Sequence, residues 1–245
     1  MDIEEIGRRL QAGRLVLDTD FDAWLPYAVR RASARHWTQV GVAVRVSRWL
    51  EACGVSSVLD VGAGAGKFCT VGALSSGISF TGIEQRPHLV EAAHTLARRF
   101  GVSERAHFVH GDLDSVDFRR FDALYFYNPF GENVMPVVDR LDGSTELSYR
   151  RFERDVTKVQ DLLGQLPIGA YLVTYNGYGG RVPDSFELVQ ARPAGLSILR
   201  LWRKVRERDA GGHWAELEDS TPLRSATDLA RIRARAQRSR LRRVP

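Results

Sequence analysis

The chain holds 245 residues, 44% apolar and 27% charged, enough for one sizeable globular domain with appendages. Two cysteines, Cys53 and Cys69, exclude a disulfide framework, and no apolar run approaches the roughly 20 residues that span a bilayer. The net charge of +5 is concentrated: residues 224–245 carry eight Arg and one Asp, a net +7, so the other 223 residues sum to −2.

The opening "MDIEEIGRRL" is acidic where a secretion signal is basic and then apolar, which predicts a cytoplasmic protein with no membrane partner. Residues 1–35 read as helical and irregular. From Thr38 the apolar residues Val40, Ala43, Val46 and Leu50 recur at helical spacing, with Gly54 as a stop. "SSVLDVGAGAGKF" predicts a buried strand entering a glycine-rich turn, followed by a helix over 66–75 and a second strand, "ISFTGIE".

Pro87 opens an amphipathic helix that ends in Arg98, Arg99 and Gly101, where the helix dipole and a C-cap favour them. "AHFVHGD" (106–112), "FDALYFYN" (121–128) and "GAYLVTYN" (169–176) supply three further strands, with a helix over 146–163 before the last. "SFELVQAR" and "LSILRLWRKV" predict a hairpin. Strands alternating with helices across short loops imply an α/β fold with a parallel sheet, closed by that antiparallel hairpin. The organisation expected is a helical cover over 1–50, a ligand-binding domain over 51–208, and a linker with an Arg-rich tail over 209–245. That tail is either a contact for nucleic acid or an acidic protein, or a solvated terminus that touches nothing.

In a parallel sheet ligands gather at the carboxyl ends of the strands. Here three successive strands end in Asp60, Glu84 and Asp112, and the first runs into Gly62-Ala63-Gly64-Ala65-Gly66. The glycines allow close backbone approach and positive φ. Lys67 stands where the dinucleotide fingerprint needs its third glycine, so a pyrophosphate cradle fits less well than a ligand lying across the turn. Glu84, 22 residues after Gly62, can accept both hydroxyls of a ribose, and Asp112 can accept from an exocyclic adenine amine. Each acid alone could be a polar strand end; together they point to an adenosine-containing ligand.

"VLDVGAGAGKF", "FTGIEQRP", "HFVHGDL" and "FDALYFYNPF" resemble, in order, motifs I, post-I, II and IV of the class I S-adenosylmethionine-dependent methyltransferases. The resemblance spans about residues 36–205. It implies a Rossmann-like three-layer sandwich with a mostly parallel seven-stranded sheet of order 3-2-1-4-5-7-6 and an antiparallel final strand. It implies S-adenosyl-L-methionine as cofactor and S-adenosyl-L-homocysteine as product. By it, Asp60, Gly62, Ala63, Gly64 and Gly66 line the methionine end, Glu84 with Gln85 the ribose side, and Asp112 with Leu113 the adenine. Trp37 and Thr38 precede the helix that covers the cofactor and are expected to close over it; a buried Trp followed by a Thr N-cap accounts for the same pair.

Asn128, at the end of the fourth strand, falls where the methyl should point and is assigned to both cofactor and acceptor. In methyltransferases acting on amide or exocyclic nitrogens this place holds [D/N]-P-P-aromatic. Here it reads Asn128-Pro129-Phe130-Gly131, one proline short, so the resemblance extends to a nitrogen acceptor but not to a specific base. The expected catalytic residues are Asn128, Pro129 and Phe130, with a nitrogen of a protein or nucleic acid as acceptor. A small-molecule methyltransferase and a non-catalytic cofactor-binding module are the alternatives. Glu132 reads as a general base or, more simply, as a surface acid. Tyr175, Asn176 and Tyr178 border the acceptor pocket or belong to the core. His107 and His110, three apart on a strand, cannot share a metal.

Overall fold

A computed structural model describes residues 1–195 and 197–208. Four short helices come first: α1 (Ile3–Gln11), α2 (Asp18–Asp22), α3 (Tyr27–Arg31) and α4 (Ser33–His36). Asp2 caps α1 by accepting from Glu5 N at 2.7 Å. Next are α5 (Val40–Ala52), β1 (Ser57–Val61), α6 (Lys67–Ser75), β2 (Ser79–Glu84), α7 (Pro87–Arg99) and β3 (Ala106–His110). The chain continues through β4 (Ala123–Phe126), α8 (Tyr149–Gln165), β5 (Tyr171–Tyr175), β6 (Phe186–Ala194) and β7 (Ser197–Lys204).

The seven strands lie in the order β3-β2-β1-β4-β5-β7-β6, with β7 antiparallel to both its neighbours. This is the order and the antiparallel strand the motifs imply. Alternation along each strand sends residues to two faces. Val58, Phe80, Tyr125 and Val173 pack beneath α1, α5, α6 and α7. Leu59, Val61, Leu124, Phe126 and Trp202 pack against Val159 and Leu163 of α8. Each buried Leu, Ile or Phe contributes about 1.5–3 kcal/mol, so both faces are firmly held. Among the described residues no helix is long and apolar enough to cross a membrane.

Two local expectations shift. Thr38 is not a helix cap: Gln39 holds that position, and Val40 N donates to Asp18 Oδ1 at 2.9 Å instead. Thr38 Oγ1 shares a hydrogen bond of 2.8 Å with Tyr125 OH in the core. The fourth strand stops at Phe126 rather than Asn128, because Asn128 turns to φ +44°. The linker and tail over 209–245 lie outside the described residues.

Candidate active site

A cleft of about 1060 Å³, part of it open to solvent, crosses the carboxyl ends of β1, β2, β4 and β5 and the residues after β3. Its floor begins where β1 ends. Gly62 N and Ala63 N donate to Ile83 O at 3.0 and 2.9 Å, stapling the turn to β2. Gly62, Gly64 and Gly66 have φ of +77°, +55° and +75°, where a side chain would be strained. Packing also requires them: a Cβ on Gly62 would sit 3.0 Å from Pro129 Cβ, one on Gly64 would overlap the Trp37 ring, and one on Gly66 would meet Phe108.

Of these three only Gly62 opens on the cleft. Trp37 lies over Gly64 and is fixed by donating Nε1–H to Val29 O at 3.0 Å. Gly66 is backed by Phe108 and Ala93. Ala63 and Thr38 are buried beside them.

Glu84 organises the next layer. One carboxylate oxygen accepts from Gly64 N at 3.0 Å and the other from Arg86 N at 2.9 Å. Burial raises its pKa, opposed by the Arg86 amide bond and the guanidinium charge of Arg86. A carboxylate has about four lone-pair sites, so each oxygen keeps capacity for a ligand hydroxyl. Asp112, after β3, also lines the cleft; its Oδ1 accepts from Asp114 N at 3.0 Å. Leu113 and Ile83 add apolar walls, and Gln85 accepts from Arg151 of α8.

Asp60 stands apart. It is 4% exposed, away from the cleft, with its carboxylate 3.5 Å from Cys69 Sγ. Burial pushes its pKa up to about 7, a Cys69 hydrogen bond opposes this and the Glu84 charge adds to it. The folded-state value lies above that of the unfolded chain. Stability linked to this proton is therefore complete below about pH 4 and is lost as the pH rises to about 7. Asp60→Asn should thus gain on the wild type between pH 5 and 8 in chemical denaturation, by on the order of 2–4 kcal/mol. A difference that does not change with pH would count against a buried, proton-linked Asp60.

At the end of β4, Asn128 N donates to Gly177 O at 2.8 Å and Gly131 N donates back to Asn128 O at 3.1 Å. Gly131 leaves the room that the Asn128 amide fills. Pro129 rests on Gly62, and Phe130 O accepts from Asn133 Nδ2 at 3.1 Å. The fold thus brings Asn128, Pro129 and Phe130 to the same cleft as Gly62, Glu84, Gln85, Asp112, Leu113 and Trp37. Asp60, Ala63, Gly64, Gly66 and Thr38 form the packed layer beneath.

Sequence reasoning missed the clasp over the cleft. Arg86 is 3% exposed and ion-paired with Glu132 at 3.0 Å and Asp142 at 3.2 Å, both from the segment after β4. Glu132 also accepts from Leu141 N at 2.6 Å, so it is neither a free base nor a loose surface acid. Arg35 pairs with Asp139, tying α4 to the same segment. Lys67 was noted only for not being glycine. Buried to 2%, it joins Asp18 at 2.6 Å and Asp22 at 2.7 Å, clamping α2 onto the start of α6. No spacing signals such pairs, since their partners are distant in sequence.

Residues 58–140 match a family described as a methyltransferase domain. An uncharacterized protein, YjhP of Escherichia coli (strain K12), is 40% identical over 55 residues, 22% of this chain and 22% of that protein. The match therefore spans about a fifth of the curated relative. Cofactor-bound Rv0187 from MTB superposes with TM-score 0.51 at 16% identity, covering 77% of this chain and 87% of the other. An RNA methyltransferase from Salinibacter ruber, in complex with S-adenosyl-L-homocysteine, gives TM-score 0.49 at 23% identity over 68% of this chain and 94% of the other. Sheet order, motif positions and the family match agree: the chain carries a class I S-adenosylmethionine-dependent methyltransferase domain.

Proposed function

We propose that the protein moves a methyl group from S-adenosylmethionine to a nitrogen of a protein or nucleic acid, presented at Asn128-Pro129-Phe130. The residues present suit the cofactor. Glu84 has lone pairs for ribose hydroxyls, Ile83 and Leu113 offer apolar walls to a planar base, and Asp112 can accept from its amine. Trp37 and Gly62 border the end from which the methyl is delivered. When bound, S-adenosylmethionine would supply an electrophilic methyl on positively charged sulfur: as a nitrogen lone pair bonds to that carbon the carbon–sulfur bond would break, S-adenosyl-L-homocysteine would leave, and the nitrogen would give up a proton.

The protein's own work is to hold, aim and shield. Asn128 Oδ1 accepts a hydrogen from the amine and turns the lone pair toward the cleft. Phe130 walls the approach, and the Arg86 clasp keeps the segment after β4 over the site and limits water. Orientation of this kind supplies several kcal/mol, on the order of 7–11 in ideal cases.

The observation that carries the reading is the Asn128 amide: it lines the cleft, has no hydrogen-bond partner among the described residues, and sits on a backbone held from both sides. A small-molecule acceptor is the competing reading, favoured by how the clasp covers the cleft. The test is transfer of labelled methyl from S-adenosylmethionine into a fractionated extract, with wild type beside Asn128→Ala. Label in macromolecules, reduced roughly 100-fold or more in the variant, supports the proposal. Label only in small molecules favours the competitor. Label on oxygen or carbon, or no loss in Asn128→Ala, overturns the assignment.

A further inference from the structure

Two non-glycine residues among those described adopt positive φ: Asn128 at +44° and Asn176 at +62°. They occupy equivalent places. β4 and β5 run parallel with Phe126 opposite Thr174, and Tyr127 stacks on Tyr175 one residue on, ring centroids 4.7 Å apart. The next step along both chains brings Asn128 and Asn176 to neighbouring strand ends. The bond from Asn128 N to Gly177 O joins the two turns. Both residues line the cleft, and the Asn176 amide, like that of Asn128, has no hydrogen-bond partner among the described residues.

Asparagine is the side chain that tolerates left-handed backbone best, so one such residue could be a turn and nothing more. Two at matched strand ends, both with unspent amides facing one cleft, call for a shared partner. A carboxamide offers one acceptor oxygen and two N–H donors. A pair of them suits a neutral planar group carrying an N–H beside an acceptor atom. It does not suit an ammonium, which needs a counter-charge. Of the carboxylates that line the cleft besides Glu84 and Asp112, Glu132 is committed to Arg86 and to Leu141 N, and Asp155 to Arg151 and Arg154.

We propose that Asn176 is a second acceptor-positioning residue, which with Asn128 selects a neutral planar nitrogen flanked by a hydrogen-bond acceptor. A primary carboxamide and an amino-substituted heteroaromatic ring both have this edge; a lysine side chain does not. The inference rests on the nitrogen-acceptor reading above. Asn128 orients the reacting amine, and Asn176 donates to the neighbouring acceptor atom and fixes the rotation of the plane.

The test compares the full-length protein with Asn176→Gly and Asn176→Asp, in labelled transfer to extract followed by hydrolysis to locate the methylated atom. Glycine keeps the backbone at positive φ and removes the amide; aspartate keeps the shape and the acceptor but removes the donor. Both should lose 10-fold or more in transfer rate, with S-adenosyl-L-homocysteine affinity within about 3-fold of wild type and no lower melting temperature. Label should sit on a carboxamide or a ring amine, which also separates those two sources. Full activity in Asn176→Gly, or label on lysine, overturns the inference while leaving a nitrogen acceptor intact. Label on oxygen or carbon overturns both.

Discussion

Lys67→Met should destabilise the protein by about 3–5 kcal/mol, because it leaves the carboxylate of Asp22 buried without its cation. Lys67 Nζ also reaches Ser33 Oγ at 3.2 Å, so one ammonium holds α2 and α4 against the helix after the glycine turn. The Asp18 leg adds little, about 0–1 kcal/mol, since Asp18 is 43% exposed at its side chain. At about 2–4 °C per kcal/mol for a domain of this size, the melting temperature should fall by roughly 6–20 °C. Pairing Lys67→Met with Asp22→Leu should recover much of the loss, because an apolar replacement of a buried ion pair is often neutral. A loss under about 1 kcal/mol for Lys67→Met alone would show that the clamp is not buried in solution.

Glu84→Gln should weaken S-adenosyl-L-homocysteine binding by about 100-fold or more, read by calorimetry. Each charge-assisted hydrogen bond is worth about 1.5–3 kcal/mol, and a ribose offers two hydroxyls to this carboxylate. The substitution also turns an amide NH₂ toward one of two backbone donors, Gly64 N and Arg86 N, loosening the turn itself. Melting temperature separates these effects: a small fall with a large affinity loss places Glu84 in the ligand site. Unchanged affinity would make it purely a brace for the glycine turn.

Much of the architecture is legible because it is written in short-range signals. The acids near three strand ends and the helix from Pro87 to Arg99 are local patterns, and their order carried the resemblance that implied the sheet, although only Glu84 ends its strand: β1 runs on to Val61 and β3 stops at His110, two residues before Asp112. Boundaries slipped where a single residue decides them: Ser148 caps α8 and delays it to Tyr149, and Asn128 ends β4 early. Within the site, position along a strand predicted which residues reach the cleft only in part. Glu84 ends β2, but Asp60 lies one residue before the end of β1 and so points into the layer with Cys69 and Tyr125. The resemblance set the whole glycine turn along the methionine end, whereas in the fold Trp37 lies across Gly64 and leaves Gly62 as the turn's exposed edge. Arg86 and Lys67 owe their places to ion-pair partners 45 to 56 residues away in the sequence, Glu132 and Asp142 for the first and Asp18 and Asp22 for the second, which no local pattern signals.

Titrating S-adenosyl-L-homocysteine and NAD separately into the full-length protein tests the central claim most directly, because the same sheet and ribose carboxylate could serve either ligand. The account predicts saturable binding of S-adenosyl-L-homocysteine at one site per chain and none of NAD. Binding of NAD alone, or of neither, would contradict it.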